Sequence, residues 1–166
     1  DADLDEAIGG VLYSAFGFSG QKCSAAGRVI VLDEIYDRFI GRLLEAAKAL
    51  KVQMAEEPDV FVGPVIDQDA QSRILKMIEA AKKEAKLAFQ GGLPETAAGA
   101  QPGYFVPPTI FTDVKPESEL GQNEVFGPVL AVMRAKNMTE AIEIANDVEY
   151  GLTGGIYSRS PANIEL

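Results

Sequence analysis

The sequence holds one cysteine, Cys23, in the run Gly17-Phe18-Ser19-Gly20-Gln21-Lys22-Cys23-Ser24-Ala25. An isolated cysteine is ordinarily a small buried apolar residue. The surroundings of this one point toward chemistry: Gly17 and Gly20 allow tight backbone geometry, and Ser24 and Ala25 leave room for a substrate. A short helical turn beginning at Cys23, with Lys22 beside it, would stabilise a thiolate through the backbone dipole and the ammonium. A thiolate on a sharp turn, with its own backbone N–H free to hold an oxyanion, suits attack on a carbonyl carbon. The chain has no histidine. That excludes a Ser-His-Asp triad, a Cys-His dyad and the usual histidine-based zinc sites within it. The base serving Cys23 is therefore a carboxylate, a water or a residue outside this chain, and no metal site is expected.

A second candidate is Asn123-Glu124-Val125-Phe126-Gly127-Pro128-Val129, just ahead of a strand. An isolated Glu beside a turn is ordinarily a solvated surface residue. Alternatively, the Glu124 carboxylate accepts hydrogen bonds from vicinal ribose hydroxyls while Phe126 packs on a flat ring. Spacing alone leaves both readings open. The glycines of Tyr150-Gly151-Leu152-Thr153-Gly154-Gly155 match neither G-x-G-x-x-G nor a P-loop. They read as a tight turn into a buried strand.

These residues need a frame to hold them, and 166 residues suffice for one domain with a buried core. The balance of 47% hydrophobic and 24% charged residues is that of an ordinary globular protein. A net charge of −10 disfavours nucleic acid and anionic lipid as partners. One cysteine allows no internal disulfide, which fits a reducing, cytoplasmic setting. The apolar stretch 7–20 is interrupted by four glycines and two serines and is too short to span a bilayer. The acidic start lacks the basic leader of a signal peptide.

Hydrophobic periodicity predicts a helix over 1–16 capped by Asp3, with Leu4, Ile8, Val11, Leu12 and Ala15 on its apolar face. A strand follows at 28–32. Asp33 is expected to cap a second helix carrying Ile35, Phe39, Leu43, Ala47 and Leu50. A third runs from Asp67 to about Lys83, with Ile74, Met77, Ile78 and Ala81 inward. Strands are predicted at 85–89, 108–114, 128–133 and 153–157, and an exposed loop at 93–103. Asn137 caps a helix to about Asp147, with Glu140 placed for a capping box. Pro161 opens a last helix that the end of the sequence cuts short, so the chain reads as a piece of a longer one. Alternating strands and helices predict a three-layer α/β fold with a mostly parallel sheet flanked by helices.

Taken together, Phe18-x-Gly20-Gln21-x-Cys23, then Glu124-x-Phe126-Gly127-Pro128 about a hundred residues on, then Tyr150-Gly151-Leu152, resemble the aldehyde dehydrogenase superfamily. The resemblance runs the length of the chain. The Lys22-Cys23-Ser24-Ala25 core looks most like the branch that oxidises L-glutamate γ-semialdehyde (1-pyrroline-5-carboxylate dehydrogenases), some of which belong to bifunctional proline-utilisation proteins.

The resemblance implies an aldehyde substrate and NAD, or alternatively NADP, as cofactor. It implies Cys23 as the nucleophile forming a thiohemiacetal and then a thioester. Glu124 would hold the nicotinamide ribose, Phe126 would lie beside the nicotinamide, and Ser24 would help hold the substrate α-carboxylate. It further implies that residues 1–166 form the catalytic cysteine domain. The dinucleotide-binding domain, general base and oxyanion amide would precede it, and the substrate-anchoring and oligomerisation segments would follow. The full-length enzyme would then be a homo-oligomer, and the chain alone would be inactive. The alternatives are an aldehyde dehydrogenase of other specificity, a silent domain of the same fold, or a cysteine hydrolase or acyltransferase. Retention of Cys23 and Glu124 argues against the silent domain, and the missing histidine against the hydrolase.

Overall fold

The elements follow the hydrophobic periodicity closely. In the computed structural model, which describes residues 1–94 and 103–165, helix α1 spans Leu4–Phe16 and buries Leu4, Ala7, Ile8, Val11, Leu12, Ala15 and Phe16. Strand β1 is Arg28–Leu32 and helix α2 is Asp33–Ala47. Helix α3 is Gln68–Ala81, strand β2 Lys86–Gln90 and strand β3 Thr109–Thr112. A single-turn helix α4, Glu119–Gln122, leads toward strand β4, Val129–Ala135. Helix α5 is Met138–Asn146 and the short α6 is Pro161–Ile164.

The sheet has the order β1-β4-β3-β2. Strand β4 pairs in parallel with β1 on one side and β3 on the other, and β2 closes the sheet antiparallel to β3. Alternation along the strands sends side chains to opposite faces. Val31, Ile110, Leu130 and Val132 join the core beneath α1 and α2. Phe111, Val129, Ala131 and Met133 join the core with Ile74 and Ile78 of α3 and Ile144 of α5. These are the three layers expected, and a central strand covered on both faces explains why β4 is apolar except at Arg134.

Several boundaries depart from the sequence reading. Asp33 does not cap α2; Leu32 occupies the cap position and Asp33 lies in the first turn. There its carboxylate accepts from Arg134 of β4 at 2.5 Å, and Arg134 also donates to Asp37. Leu50 packs on the core from beyond the end of α2. Helix α4 is too short to produce a periodic signal. Residues 153–157 form no strand: they are exposed and have no ladder partner among the described residues. The Tyr157 hydroxyl instead occupies the space that a side chain at Gly10 of α1 would fill. Ser158 donates to Asp1 and Arg159 pairs with Asp3. Most of the expected 93–103 loop, residues 95–102, lies outside the described residues. No helix among the described residues is long and apolar enough to cross a membrane.

The Asp3 carboxylate caps α1 by accepting from the N–H groups of Asp5 and Glu6. Those bonds, with Arg159 and Arg42 nearby, hold it below its ordinary value of 3.8. A depressed folded pKa contributes stability that is present above the unfolded value and lost as pH falls through the folded one. Asp3→Ala should therefore destabilise at pH 7, and its gap to wild type should narrow below roughly pH 4 in denaturant melts run across pH.

Candidate active site

Cys23 sits on a turn that is fixed on both sides. Ahead of it, Phe18, Ser19 and Gly20 all take left-handed backbone conformations, with φ of 53°, 58° and 66°. Two of the three are not glycine, so surrounding contacts must hold the strain. The Gln21 N–H donates to the Phe18 carbonyl at 3.0 Å, and the Gln21 side-chain oxygen accepts from Ile66 N–H at 2.9 Å. Behind Cys23, the Ala26 N–H donates to both the carbonyl and the hydroxyl of Ser14, each at 3.2 Å. The chain then enters β1 at Arg28.

No helix begins at Cys23, contrary to expectation. Residues 22–25 make one β-turn closed by Ala25 N–H to Lys22 O at 3.0 Å. With Ala26 already tied to α1, a helical turn has no room to extend. Nor is the Lys22 ammonium placed as a partner of the thiol: it lies over the rings of Phe18 and Tyr13, 5.2 and 5.6 Å from their centroids. Cys23 is a free, exposed thiol and Ser24 is exposed beside it. The N–H groups of both residues donate to no protein acceptor among the described residues.

Glu124 is carried by a braced stalk. Ser118 caps α4 by accepting from Gly121 N–H, and Gln122 donates to the carbonyls of Pro116 and Asp147, both at 2.8 Å. Arg28 donates to the carbonyls of Gly121, Ile144 and Ala145, at 3.4, 3.3 and 3.1 Å. Burial pushes the Arg28 guanidinium below its ordinary value, opposed by Asp147. It remains a cation at the carbonyl ends of α4 and α5, where a helix favours positive charge. Past the stalk, Phe126 is left-handed, φ 49°. Arg73 of α3 donates to the Val125 carbonyl at 2.6 Å and lies 3.5 Å from that of Phe126. The Glu124 carboxylate has no hydrogen-bond or ion-pair partner among the described residues, and Phe126 is 37% exposed.

The two turns meet at their glycines. A side chain on Gly20 would put its Cβ 2.2 Å from the Gly127 carbonyl oxygen and 2.9 Å from that of Ala15. Gly127 in turn backs onto Ile74 of α3. Cys23, Ser24, Glu124 and Phe126 consequently line one open cleft of about 1070 Å³. Tyr150 to Tyr157 also line it, so the Gly-rich segment read as a turn into a buried strand is instead an exposed wall of the cleft. Sequence reasoning missed Ser14, Ser19, Arg28 and Arg73. Among them, only Arg28, a charge opening an apolar strand, carried a local signal.

The profile of the aldehyde dehydrogenase family matches residues 1–165. This chain belongs to the aldehyde dehydrogenase family. It is 46% identical over 165 residues to the 1-pyrroline-5-carboxylate dehydrogenase of Geobacillus sp. (strain WCH70), covering 99% of this chain and 31% of that protein. The crystal structure of proline utilization A from Bdellovibrio bacteriovorus superposes with a TM-score of 0.93 at 58% identity, over 99% of this chain and 16% of that one. A 1-pyrroline-5-carboxylate dehydrogenase from Thermus with bound NAD superposes with a TM-score of 0.91 at 44% identity, over 99% of this chain and 31% of that one. The family and branch resemblance read from the Cys23 and Glu124 motifs is thus borne out. The chain spans about a third of the length of the curated aldehyde dehydrogenase relatives it matches.

Gly20→Ala tests the contact between the two turns. It combines a left-handed penalty with a backbone collision that no rotamer relieves, and should cost about 2–5 kcal/mol. Gly9→Ala, on the exposed face of α1 with nothing within 4 Å of the new Cβ, should instead stabilise by about 0.5–1 kcal/mol. Denaturant midpoints of the two variants check both signs.

Proposed function

We propose that this chain is the cysteine-bearing catalytic domain of an NAD-dependent aldehyde dehydrogenase that oxidises L-glutamate γ-semialdehyde to glutamate. The observation that carries this reading is the convergence of Cys23, Ser24, Glu124 and Phe126 on one cleft, in a chain whose relatives bear the corresponding name. A carboxylate without a partner among the described residues, beside a half-exposed aromatic ring, fits a ribose and a flat nicotinamide. Glu124 would accept from the ribose hydroxyls and Phe126 would pack on the ring. When bound, the dinucleotide supplies the hydride acceptor.

The chain's own residues do the rest. The Cys23 thiolate adds to the aldehyde carbon, and the new oxyanion takes the free Cys23 N–H as a donor. After oxidation the acyl group is held as a thioester on Cys23, and attack by water releases the acid and restores the thiol. The base that activates this water comes from outside the chain. Ser24 donates its hydroxyl to the substrate α-carboxylate, which distinguishes this substrate from a plain aliphatic aldehyde.

In the full-length protein, Cys23→Ser should lower kcat at least about 10³-fold while leaving NAD affinity intact, since a hydroxyl is a far weaker nucleophile near neutral pH. Retained turnover would remove Cys23 from the mechanism. A hydroxyl bonded to a charged acceptor is worth about 1.5–3 kcal/mol. Ser24→Ala should therefore cut kcat/KM for the semialdehyde roughly ten- to a hundred-fold and spare an aliphatic aldehyde of similar length. Equal losses on both would reduce Ser24 to a support of the turn and leave the aldehyde unassigned.

A further inference from the structure

We propose that Ser19, itself buried, is a positioning residue for Cys23, acting through a hydrogen bond that fixes the turn on the loop formed by residues 63–66. The inference rests on the reading of Cys23 as nucleophile.

Ser19 is only 3% exposed, and its hydroxyl donates to the Gly63 carbonyl at 2.8 Å, with the Pro64 carbonyl at 3.4 Å. The loop it grips is itself anchored at both ends. Val62 is fully buried and bridges to Val52, its N–H donating to Lys51 O and its carbonyl accepting from Gln53 N–H. Val65 is also buried, and its N–H donates to Tyr104 O at 2.8 Å. Two residues beyond Ser19, Gln21 accepts from Ile66 of the same loop. The left-handed run is thereby held from both ends of one short loop, immediately before the nucleophile.

A backbone in three consecutive left-handed conformations has lower-energy alternatives, and non-glycine residues leave that region readily when released. Gly20 blocks motion toward Gly127 by contact but supplies no attraction. The Ser19 hydroxyl supplies it within the left-handed run, with Gln21 tying the residue after it. Losing that bond would leave the Gly63 carbonyl without its donor and free the turn to relax, shifting Cys23 against the rest of the cleft. A misplacement of about 1 Å costs on the order of a hundred-fold in rate. Nothing in this role touches the cofactor or the acidity of the thiol.

The test uses Ser19→Ala and Ser19→Gly in the full-length protein. Both remove the hydroxyl, but glycine adopts a positive φ without penalty, so Ser19→Gly keeps its melting temperature within about 2–3 °C of wild type. Both variants should lose about ten- to a hundred-fold in kcat. The cofactor KM should stay within about two-fold, and iodoacetamide, a small unoriented reagent, should alkylate Cys23 within about two-fold of the wild-type rate. A Ser19→Gly enzyme with wild-type kcat would overturn the inference. So would a fall in alkylation rate matching the fall in kcat, because Ser19 would then govern thiol reactivity or site integrity instead of position. Cys23→Ser run alongside separates the two levels. An active Cys23→Ser enzyme overturns the nucleophile reading itself. An inactive one beside a fully active Ser19→Gly overturns only the role of Ser19.

Discussion

The approach of Gly20 to the carbonyl of Gly127 is the constraint on which the site depends. No side chain fits at residue 20, since its Cβ would overlap a backbone oxygen at 2.2 Å. The contact joins the turn bearing Cys23 to the turn bearing Glu124 and Phe126, and it makes the position of each a condition on the other. Both turns store left-handed residues, Phe18 and Ser19 in one and Phe126 in the other. Strain of this kind persists only where the surroundings over-determine it. Here they do so through Ser19 and Gln21 on the 63–66 loop, and through Arg73 on the carbonyls of Val125 and Phe126.

Topology explains why two turns so distant in sequence can meet. Strands β1 and β4 are parallel neighbours, so the segments that lead into their first residues approach from the same end of the sheet. The Cys23 turn leads into β1 and the Glu124 turn into β4. Helix α1 ends at the first turn and α3 backs the second, so the three layers supply a rigid support for each. Ligands of open α/β sheets ordinarily gather beyond the carboxyl ends of the strands. In this chain the candidate residues gather at the amino ends, the side opposite to the one a topological rule alone points to.

The parts of the structure legible in the sequence were those set by local physics. Asp3, Asp67 and Asn137 each cap the helix they precede, because a short polar side chain there satisfies free N–H groups. The apolar run at β4 became a central strand because both of its faces are covered, whereas β1 lies at the sheet edge with only Val31 buried. Asp33 misled as a cap because Arg134, across the sheet, claims it first. Residues 153–157 misled because a strand exists only through a neighbour, and here the segment is exposed, with only Tyr157 meeting α1 at Gly10. The candidate residues Cys23, Ser24, Glu124 and Phe126 stood out in the sequence by type, and they line one cleft. Illegible were Ser19 and Arg73, whose roles arise from partners 44 or more residues away.

The central claim is that the acyl group passes through Cys23, and the most direct measurement is chemical. Full-length protein turning over semialdehyde with NAD is quenched in acid, digested and read by mass spectrometry. The account predicts an acyl adduct, with the mass of the glutamyl group bound as a thioester, on the peptide that contains Cys23 and lost on brief treatment with hydroxylamine. Steady turnover with that peptide unmodified at every quench time, or with the adduct on another residue, would contradict it.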